Sequence, residues 1–230
     1  MENKKSILTI VSENRFLHTL FSVILGFVVG ALFLVVMGLD VGAAYGRLLK
    51  SFSSIKNISY VIVYSIPYIV TGLSVAFSFK TGVFNIGAEG QFVVGSMSAC
   101  VVGTLFGHLP KGVLIPLCFI TAMAAGALWG IIVGVLKTKW GINEVLSMIM
   151  FNWIAYYLSN FIAGIPAIHS DGSAEATKNI ADNARTLLSK DLIKEWGLCP
   201  TANWGIIVAI IATIIIWFII EKTTFLNIPS

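Results

Sequence analysis

Charged side chains are scarce in this chain of 230 residues, since Asp, Glu, Lys and Arg together make up 11% of the sequence. A typical soluble domain has about 25% charged residues. Hydrophobic residues account for 57% of the sequence, and the mean hydropathy is +0.90. A water-soluble fold of this length cannot bury so much apolar surface in one core. Lipid must therefore cover much of the protein.

Cysteine and histidine are too few and too scattered to build the sites they usually form. The cysteines Cys100, Cys118 and Cys199 contain no C-x-x-C pair, and the three histidines are far apart. This pattern predicts neither disulfide bonds nor a metal site. The sequence also lacks a P-loop motif and a basic stripe with interleaved aromatic residues. We therefore predict no cofactor, no nucleic-acid partner and no catalytic residue, which favours a transport subunit powered from elsewhere over an enzyme.

Long apolar runs fill most of the chain. A bilayer core about 30 Å thick requires about 20 apolar residues of helix. Six runs come close to this length or exceed it, and they predict an all-α, polytopic transmembrane helical bundle of about six spans. We predict that residues 1–230 form a single transmembrane domain. The predicted spans are residues 16–39, 58–79, 83–106, 113–136, 145–163 and 204–220.

Basic residues in the short loops predict the orientation of these spans. If the N-terminus is in the cytoplasm, seven Lys and Arg residues lie on the cytoplasmic side and four lie on the opposite side, not counting the longest loop. That loop, residues 164–203, is then extracytoplasmic. It is either a solvated linker or a docking surface for an external partner, and residues 189–196 within it have the pattern of a short amphipathic helix.

Glycines four residues apart occur in several of the apolar runs. This spacing lets membrane helices approach closely, so it predicts helix packing and no particular function. The pairs and triplets are Gly26 and Gly30, Gly103 and Gly107, and Gly126, Gly130 and Gly134.

One polar segment interrupts the apolar pattern. Residues 81–91, TGVFNIGAEGQ, place two amides and a carboxylate among three glycines. A glycine inside a helix costs about 1 kcal/mol relative to Ala. Irregular backbone at membrane depth is tolerated only where protein buries it or a wet cavity meets it, and it often marks a transporter's substrate site. The spacing alone leaves two interpretations, an interfacial turn or a translocation path. The candidate path residues are Asn85, Gly87, Glu89, Gly90 and Gln91.

Three further polar residues near the fifth predicted span are secondary candidates. Asn143 can cap the helix, and Glu144 would complement the dipole of its first turn. Asn152 lies well inside the span and needs a hydrogen-bond partner there. We favour a structural role for each of them, helix capping for the first two and an interhelical hydrogen bond for Asn152.

Two strings of sequence carry a resemblance to a known family. Residues 71–99, TGLSVAFSFKTGVFNIGAEGQFVVGSMSA, and residues 141–155, GINEVLSMIMFNWIA, resemble permease subunits of bacterial ATP-binding cassette (ABC) importers for nucleosides and simple sugars. This is the branched-chain amino acid and ribose-type superfamily of type II permeases. The form FNIGAEGQ, at residues 84–91, resembles the branch associated with nucleoside uptake. The resemblance extends from the second span to Phe225.

The resemblance implies a transport subunit of the bacterial plasma membrane that forms half of a translocation pathway. It implies as partners a second permease subunit, ABC ATPase subunits, an extracytoplasmic substrate-binding lipoprotein and a small-molecule substrate. A nucleoside is the expected substrate and a simple sugar is the alternative. A non-transporting scaffold or inactive fragment is the alternative from another class. After Phe225 the sequence departs from the family pattern, so we expect a truncated chain that lacks the ATPase-coupling segment.

Under this interpretation the polar segment contacts the substrate. Asn85 and Gln91 would donate and accept hydrogen bonds with an uncharged nucleoside. Glu89 would accept either from a ribose hydroxyl or from backbone N–H groups that fix the bend, and we favour the second role. Gly87 and Gly90 would be needed for the shape of the backbone.

The predicted orientation can be tested by the accessibility of single cysteines. In intact cells, a Cys at Ser173 should react with a membrane-impermeant thiol reagent, and a Cys at Thr138 should react only after the membrane is opened. The reverse pattern would exclude the predicted topology.

Overall fold

The computed structural model describes residues 15–172 and 176–222, and its regular elements within these ranges are helices. The predicted all-α class is confirmed. The α-helices are α1 (Arg15–Val36), α2 (Val41–Ser51), α3 (Ile55–Lys80), α4 (Ala88–Leu105), α5 (Lys111–Trp140), α6 (Glu144–Ala163), α7 (Lys190–Glu195) and α8 (Gly205–Lys222), with a 3-10 helix at Asp182–Ala184 between α6 and α7.

Within the described residues, five helices are long and apolar enough to cross a membrane, namely α1, α3, α5, α6 and α8. The third predicted span, residues 83–106, is the exception to the six that we predicted. Its helix α4 begins only at Ala88 and has 18 residues. The residues before Ala88 are not helical, and the first turn carries Glu89 and Gln91. The polar segment therefore shortens this span and lowers its hydropathy.

The outer faces of the long helices are apolar and exposed. Along α8, for example, Ile210, Ile211 and Ile214 are each more than half exposed. Exposed isoleucines in such numbers are expected where lipid covers the helix in place of water.

The chain divides into two compact units, residues 1–58 and 59–230. In the first unit, the Tyr45 hydroxyl donates a hydrogen bond to the carbonyl oxygen of Phe27 at 2.6 Å. The two rings also meet edge to face, with their centroids 5.6 Å apart. This pair joins α1 to α2.

Helix α4 occupies a central position in the second unit, where it packs against both α5 and α6. Small residues allow the close approach. A Cβ atom added at Gly95 would lie 3.0 Å from the carbonyl oxygen of Ala122, and Cβ atoms at Gly126 and Gly130 would meet Gln91. The helix packing predicted from the glycine spacing is thus confirmed for these two glycines of α5.

The described part of the long loop packs against the helices instead of extending away from them. The Ala181 N–H donates to the carbonyl oxygen of Gly103 at 3.2 Å. The backbone N–H of Cys199, which is fully buried, donates to the Ser59 hydroxyl at 2.7 Å near the start of α3. The loop therefore joins the start of α3 to the end of α4.

Two details of this loop bear on the sequence analysis. The expected short helix is present as α7, and the Ser189 hydroxyl caps it by accepting from the Leu192 N–H at 3.4 Å. The nearest neighbours of Gly103 and Gly107 include Ala181 and Ala184, which belong to the loop. This glycine pair therefore accommodates the loop, whereas its spacing had predicted contact between helices.

Substitution of Gly107 should loosen the loop. A Cβ atom at this position would lie 2.7 Å from the Cβ of Ala181, which has no flexible end that could move away. We expect Gly107→Ala to cost about 1–3 kcal/mol, as overpacking typically does, and to speed tryptic cleavage at Arg185 and Lys190 in the detergent-solubilised protein. Gly112→Ala is the matched control, since nothing lies within 4 Å of its added Cβ. Equal cleavage rates in the two variants would contradict this account of the loop.

Candidate functional site

The polar segment forms a non-helical passage between α3 and α4. Helix α3 ends at Lys80, and Gly82 then adopts a positive φ of 76°, a conformation that favours glycine. The chain continues without helical structure until α4 begins at Ala88. The backbone groups of this passage must therefore find partners outside a helix.

Asn152 of α6 supplies two of these partners. Its side-chain NH2 donates to the carbonyl oxygen of Ile86 at 3.1 Å, and its Oδ1 accepts from the N–H of Gly90 at 2.9 Å. The first N–H groups of a helix lack an intrahelical acceptor, and Gly90 is the third residue of α4. One amide therefore satisfies the backbone on both sides of the helix start. The predicted interhelical hydrogen bond of Asn152 is confirmed.

The glycines of the segment permit this contact. A Cβ atom at Gly90 would lie 2.7 Å from the Oδ1 of Asn152, 3.1 Å from the Nε1 of Trp129 and 3.2 Å from the Cα of Asn152. A Cβ atom at Gly87 would lie 3.1 Å from the Cγ of Met148. Both glycines are buried, so they set the distance between α4 and its neighbours.

Asn85 and Gln91 contact neighbouring residues of the protein, whereas the sequence analysis expected both side chains to contact the substrate. Asn85 is 7% exposed, and its Nδ2 donates to the hydroxyl of Ser74 at 3.3 Å. Its Oδ1 is buried without a hydrogen-bond partner. The side chain of Gln91 lies against Gly130 and also lines a cavity of about 420 Å³ together with Thr71 and Ser74.

Glu89 differs from the other four path candidates because its side chain is exposed. It lines a cavity of about 670 Å³ between α3 and α4 and a second cavity of about 520 Å³ between α4 and α6. Within the described parts of the chain, its carboxylate has no hydrogen-bond or ion-pair partner. The role that we favoured for Glu89, fixing the bend by accepting backbone N–H groups, is therefore wrong, and Asn152 has that role.

Aromatic side chains stand on both sides of Glu89, and the sequence analysis did not include them among the candidates. Tyr64 and Tyr68 of α3 line the larger cavity, and Trp153 and Tyr156 of α6 line the other. All four are at least half exposed. The available signal was their spacing, because Tyr64 and Tyr68 lie four residues apart in the middle of an apolar run and therefore share a helix face.

The residues at the start of α6 have the predicted capping role. The Oδ1 of Asn143 accepts from the N–H groups of Val145 and Leu146 at 3.0 and 3.2 Å. Glu144 forms an ion pair with Lys137 at the end of α5, and its Oε1 accepts from the N–H of Phe84 at 3.4 Å. Glu144 therefore anchors the polar segment from outside the two cavities that Glu89 lines. No group of three or more potential metal-ligating side chains occurs in the part of the chain that the structure describes.

Loss of the Asn152 amide should destabilise the protein. In Asn152→Ala, the Ile86 carbonyl and the Gly90 N–H lose their partner, and a buried polar group left without a hydrogen bond costs about 1–3 kcal/mol. We expect a lower melting temperature in detergent and faster hydrogen exchange at the Gly90 amide. Asn160→Ala is the matched control, because Asn160 lies on the same helix face and forms no side-chain hydrogen bond within the described residues. A Gly90 amide that exchanges equally fast in the two variants would refute this role.

Comparison with known proteins agrees with this architecture. The family model described as "Branched-chain amino acid transport system / permease component" matches residues 57–225. The guanosine ABC transporter permease protein NupP of Bacillus subtilis is 40% identical over 213 residues, which cover 92% of this chain and 59% of that protein. The nucleoside ABC transporter permease protein NupB of Lactococcus lactis is 34% identical, over 91% of this chain and 58% of that protein.

A more distant relative is the glucose ABC transporter permease protein TsgB13 of Haloferax volcanii, which is 29% identical over 88% of this chain and 54% of that protein. The chain spans less than two thirds of the length of these three relatives. No solved structure matches it. Its apolar helices and the family match identify a multi-pass membrane protein. The chain belongs to the permease component family of the branched-chain amino acid transport system.

Proposed function

We propose that this chain is part of a permease subunit of an ABC importer that carries nucleosides across the bacterial plasma membrane. The observation that carries the proposal is the FNIGAEGQ segment, in which the exposed carboxylate of Glu89 lies beside two cavities between membrane helices. Two relatives that are 40% and 34% identical to this chain are named as permeases for guanosine and for nucleosides. Interrupted helices of this kind face the substrate pathway in transporters.

The proposed machine needs partners to act. A second permease subunit would complete the pathway, two ATPase subunits would hydrolyse ATP, and an extracytoplasmic lipoprotein would deliver the substrate. The N-terminus would lie in the cytoplasm and the loop of residues 164–203 outside. The loop's contacts with Ser59 of α3 and Gly103 of α4 support this proposal, because a lipoprotein docked on the loop would act on both helices.

The candidate residues would divide into three groups. Glu89 would face the translocated molecule, and Gln91 would line the neighbouring cavity. Asn85, Gly87 and Gly90 would shape the passage, together with Asn152. Asn143 and Glu144 would hold the cytoplasmic ends of α6 and the segment. Alternating access would be the task of the subunit, and bond chemistry would belong to the ATPase.

A simple sugar is the alternative substrate, because the Haloferax volcanii relative is named as a glucose permease. That relative has lower identity than the two relatives with nucleoside or guanosine names. A non-transporting scaffold is the alternative from another class, and it would not require ATPase subunits or a solute receptor.

Uptake by cells tests the proposal directly. Deletion of the full-length gene should abolish most high-affinity uptake of labelled guanosine, adenosine or uridine, and a plasmid copy should restore it. Uptake of ribose and glucose serves as the control and should not change. The complex purified through this subunit should contain an ATPase.

The alternatives give different results. Loss of sugar uptake with normal nucleoside uptake would establish the sugar transporter instead. Normal uptake of both classes, with no ATPase in the purified complex, would support the scaffold.

A further inference from the structure

Glu89 lies level with the middle of two membrane spans. Its first cavity is lined by Tyr64 and Tyr68, which are near the centre of the 26-residue helix α3. Its second cavity is lined by Trp153 and Tyr156, which are near the centre of the 20-residue helix α6. A charged side chain at this depth is costly in lipid, so it faces protein, water or a solute.

The four aromatic residues are at an unusual depth. Trp and Tyr in membrane proteins concentrate at the two water interfaces, where their polar atoms remain hydrated. In the described residues, the hydroxyls of Tyr64, Tyr68 and Tyr156 and the indole N–H of Trp153 have no hydrogen-bond partner. Their exposed fractions are 63%, 78%, 50% and 58%, respectively. The rings of Tyr64, Trp153 and Tyr156 pack against neighbouring aromatic rings, but their polar atoms have no such partner. Polar atoms that lack a hydrogen bond at mid-span indicate a polar occupant beside them.

We propose that Glu89 and these four aromatic residues form a nucleoside subsite within the membrane. The carboxylate accepts hydrogen bonds from the ribose hydroxyls, and the aromatic rings stack on the base. This inference rests on the proposed function and specifies how the pathway recognises its substrate.

The chemistry of the residues matches the two parts of a nucleoside. An ionised carboxylate accepts hydrogen bonds through two oxygens, and the vicinal ribose hydroxyls present two donors side by side. Every nucleobase has a flat π-face that stacks on Tyr or Trp, whichever base it is. The cavities of about 670 and 520 Å³ both fall in the range that holds small organic ligands.

Asn152 gives this subsite its rigidity. It binds the N–H of Gly90, the residue next to Glu89 in sequence, and it also lines the second cavity. The backbone that carries the carboxylate is therefore held from α6. A charged group fixed in this way recognises a ligand without first losing its own mobility.

The test uses the intact transport complex and pairs a variant with a substrate analogue. With a ribonucleoside, Glu89→Gln should lower the maximum import rate about tenfold, which is the size expected for hydrogen bonds to a charged group. With the 2′,3′-dideoxynucleoside, which lacks both hydroxyls, the variant and the wild type should import at equal rates. Glu221→Gln is the control, since this exposed carboxylate at the end of α8 lines neither cavity.

A second measurement does not depend on the folding of the Glu89 variant. In a background without native cysteines, Tyr68→Cys should react with a hydrophilic thiol reagent, and a saturating ribonucleoside should slow the reaction at least fivefold. Val61→Cys is the matched control, because Val61 is 63% exposed on the same helix and does not line either cavity. Its labelling should not respond to the nucleoside.

The outcomes separate the subsite from the transport function. If the wild type imports nucleosides, but Glu89→Gln slows both substrates equally or neither of them, the subsite is refuted and the function stands. Labelling of Tyr68→Cys that is indifferent to the nucleoside refutes it in the same way. If the wild-type complex imports no nucleoside, the proposed function fails and the subsite fails with it.

Discussion

The start of α4 inside the second unit is the constraint on which the site depends. A helix that begins away from water leaves N–H groups without acceptors, and lipid offers none. Asn152 meets this requirement by binding the Ile86 carbonyl and the Gly90 N–H from the neighbouring helix. The absence of a side chain at Gly90 is part of the same solution, since a Cβ atom there would lie 2.7 Å from the Oδ1 of Asn152. The interruption of the apolar pattern and the contact of α4 with α6 are therefore one feature.

This arrangement leaves Glu89 free for another task. If Glu89 itself had satisfied the backbone of the first turn, its carboxylate would be buried and paired. Asn152 satisfies that backbone from α6, and Glu144 binds the Phe84 N–H at the other end of the passage. The exposed carboxylate beside the two cavities is consequently the polar group of the segment that contributes least to its own structure. A group of this kind is a strong functional candidate, because a charged side chain without a structural partner at mid-span has a cost and no evident structural benefit.

The sequence predicted the helical class, all five helices that could cross a membrane to within about four residues, the cap at Asn143 and the interhelical bond of Asn152. These features follow from local patterns, namely apolar length and a polar side chain that must be paired. The late start of α4 and the burial of Asn85 could not be predicted, because both depend on contacts with side chains of α3 and α6 that no local pattern reveals. The pairing of Gly103 and Gly107 with the loop had the same cause, since glycine spacing shows that something approaches closely but not what it is.

The described part of the loop of residues 164–203 connects these local features to one another. It binds the start of α3 through Ser59 and the end of α4 through Gly103, and both helices line the larger cavity through Tyr64 and Glu89. A force on the loop would therefore reach the two walls of one cavity through short hydrogen-bonded contacts and rigid helices. Under the function proposed above, a loop attached to both walls would give a docked lipoprotein a mechanical connection to this cavity.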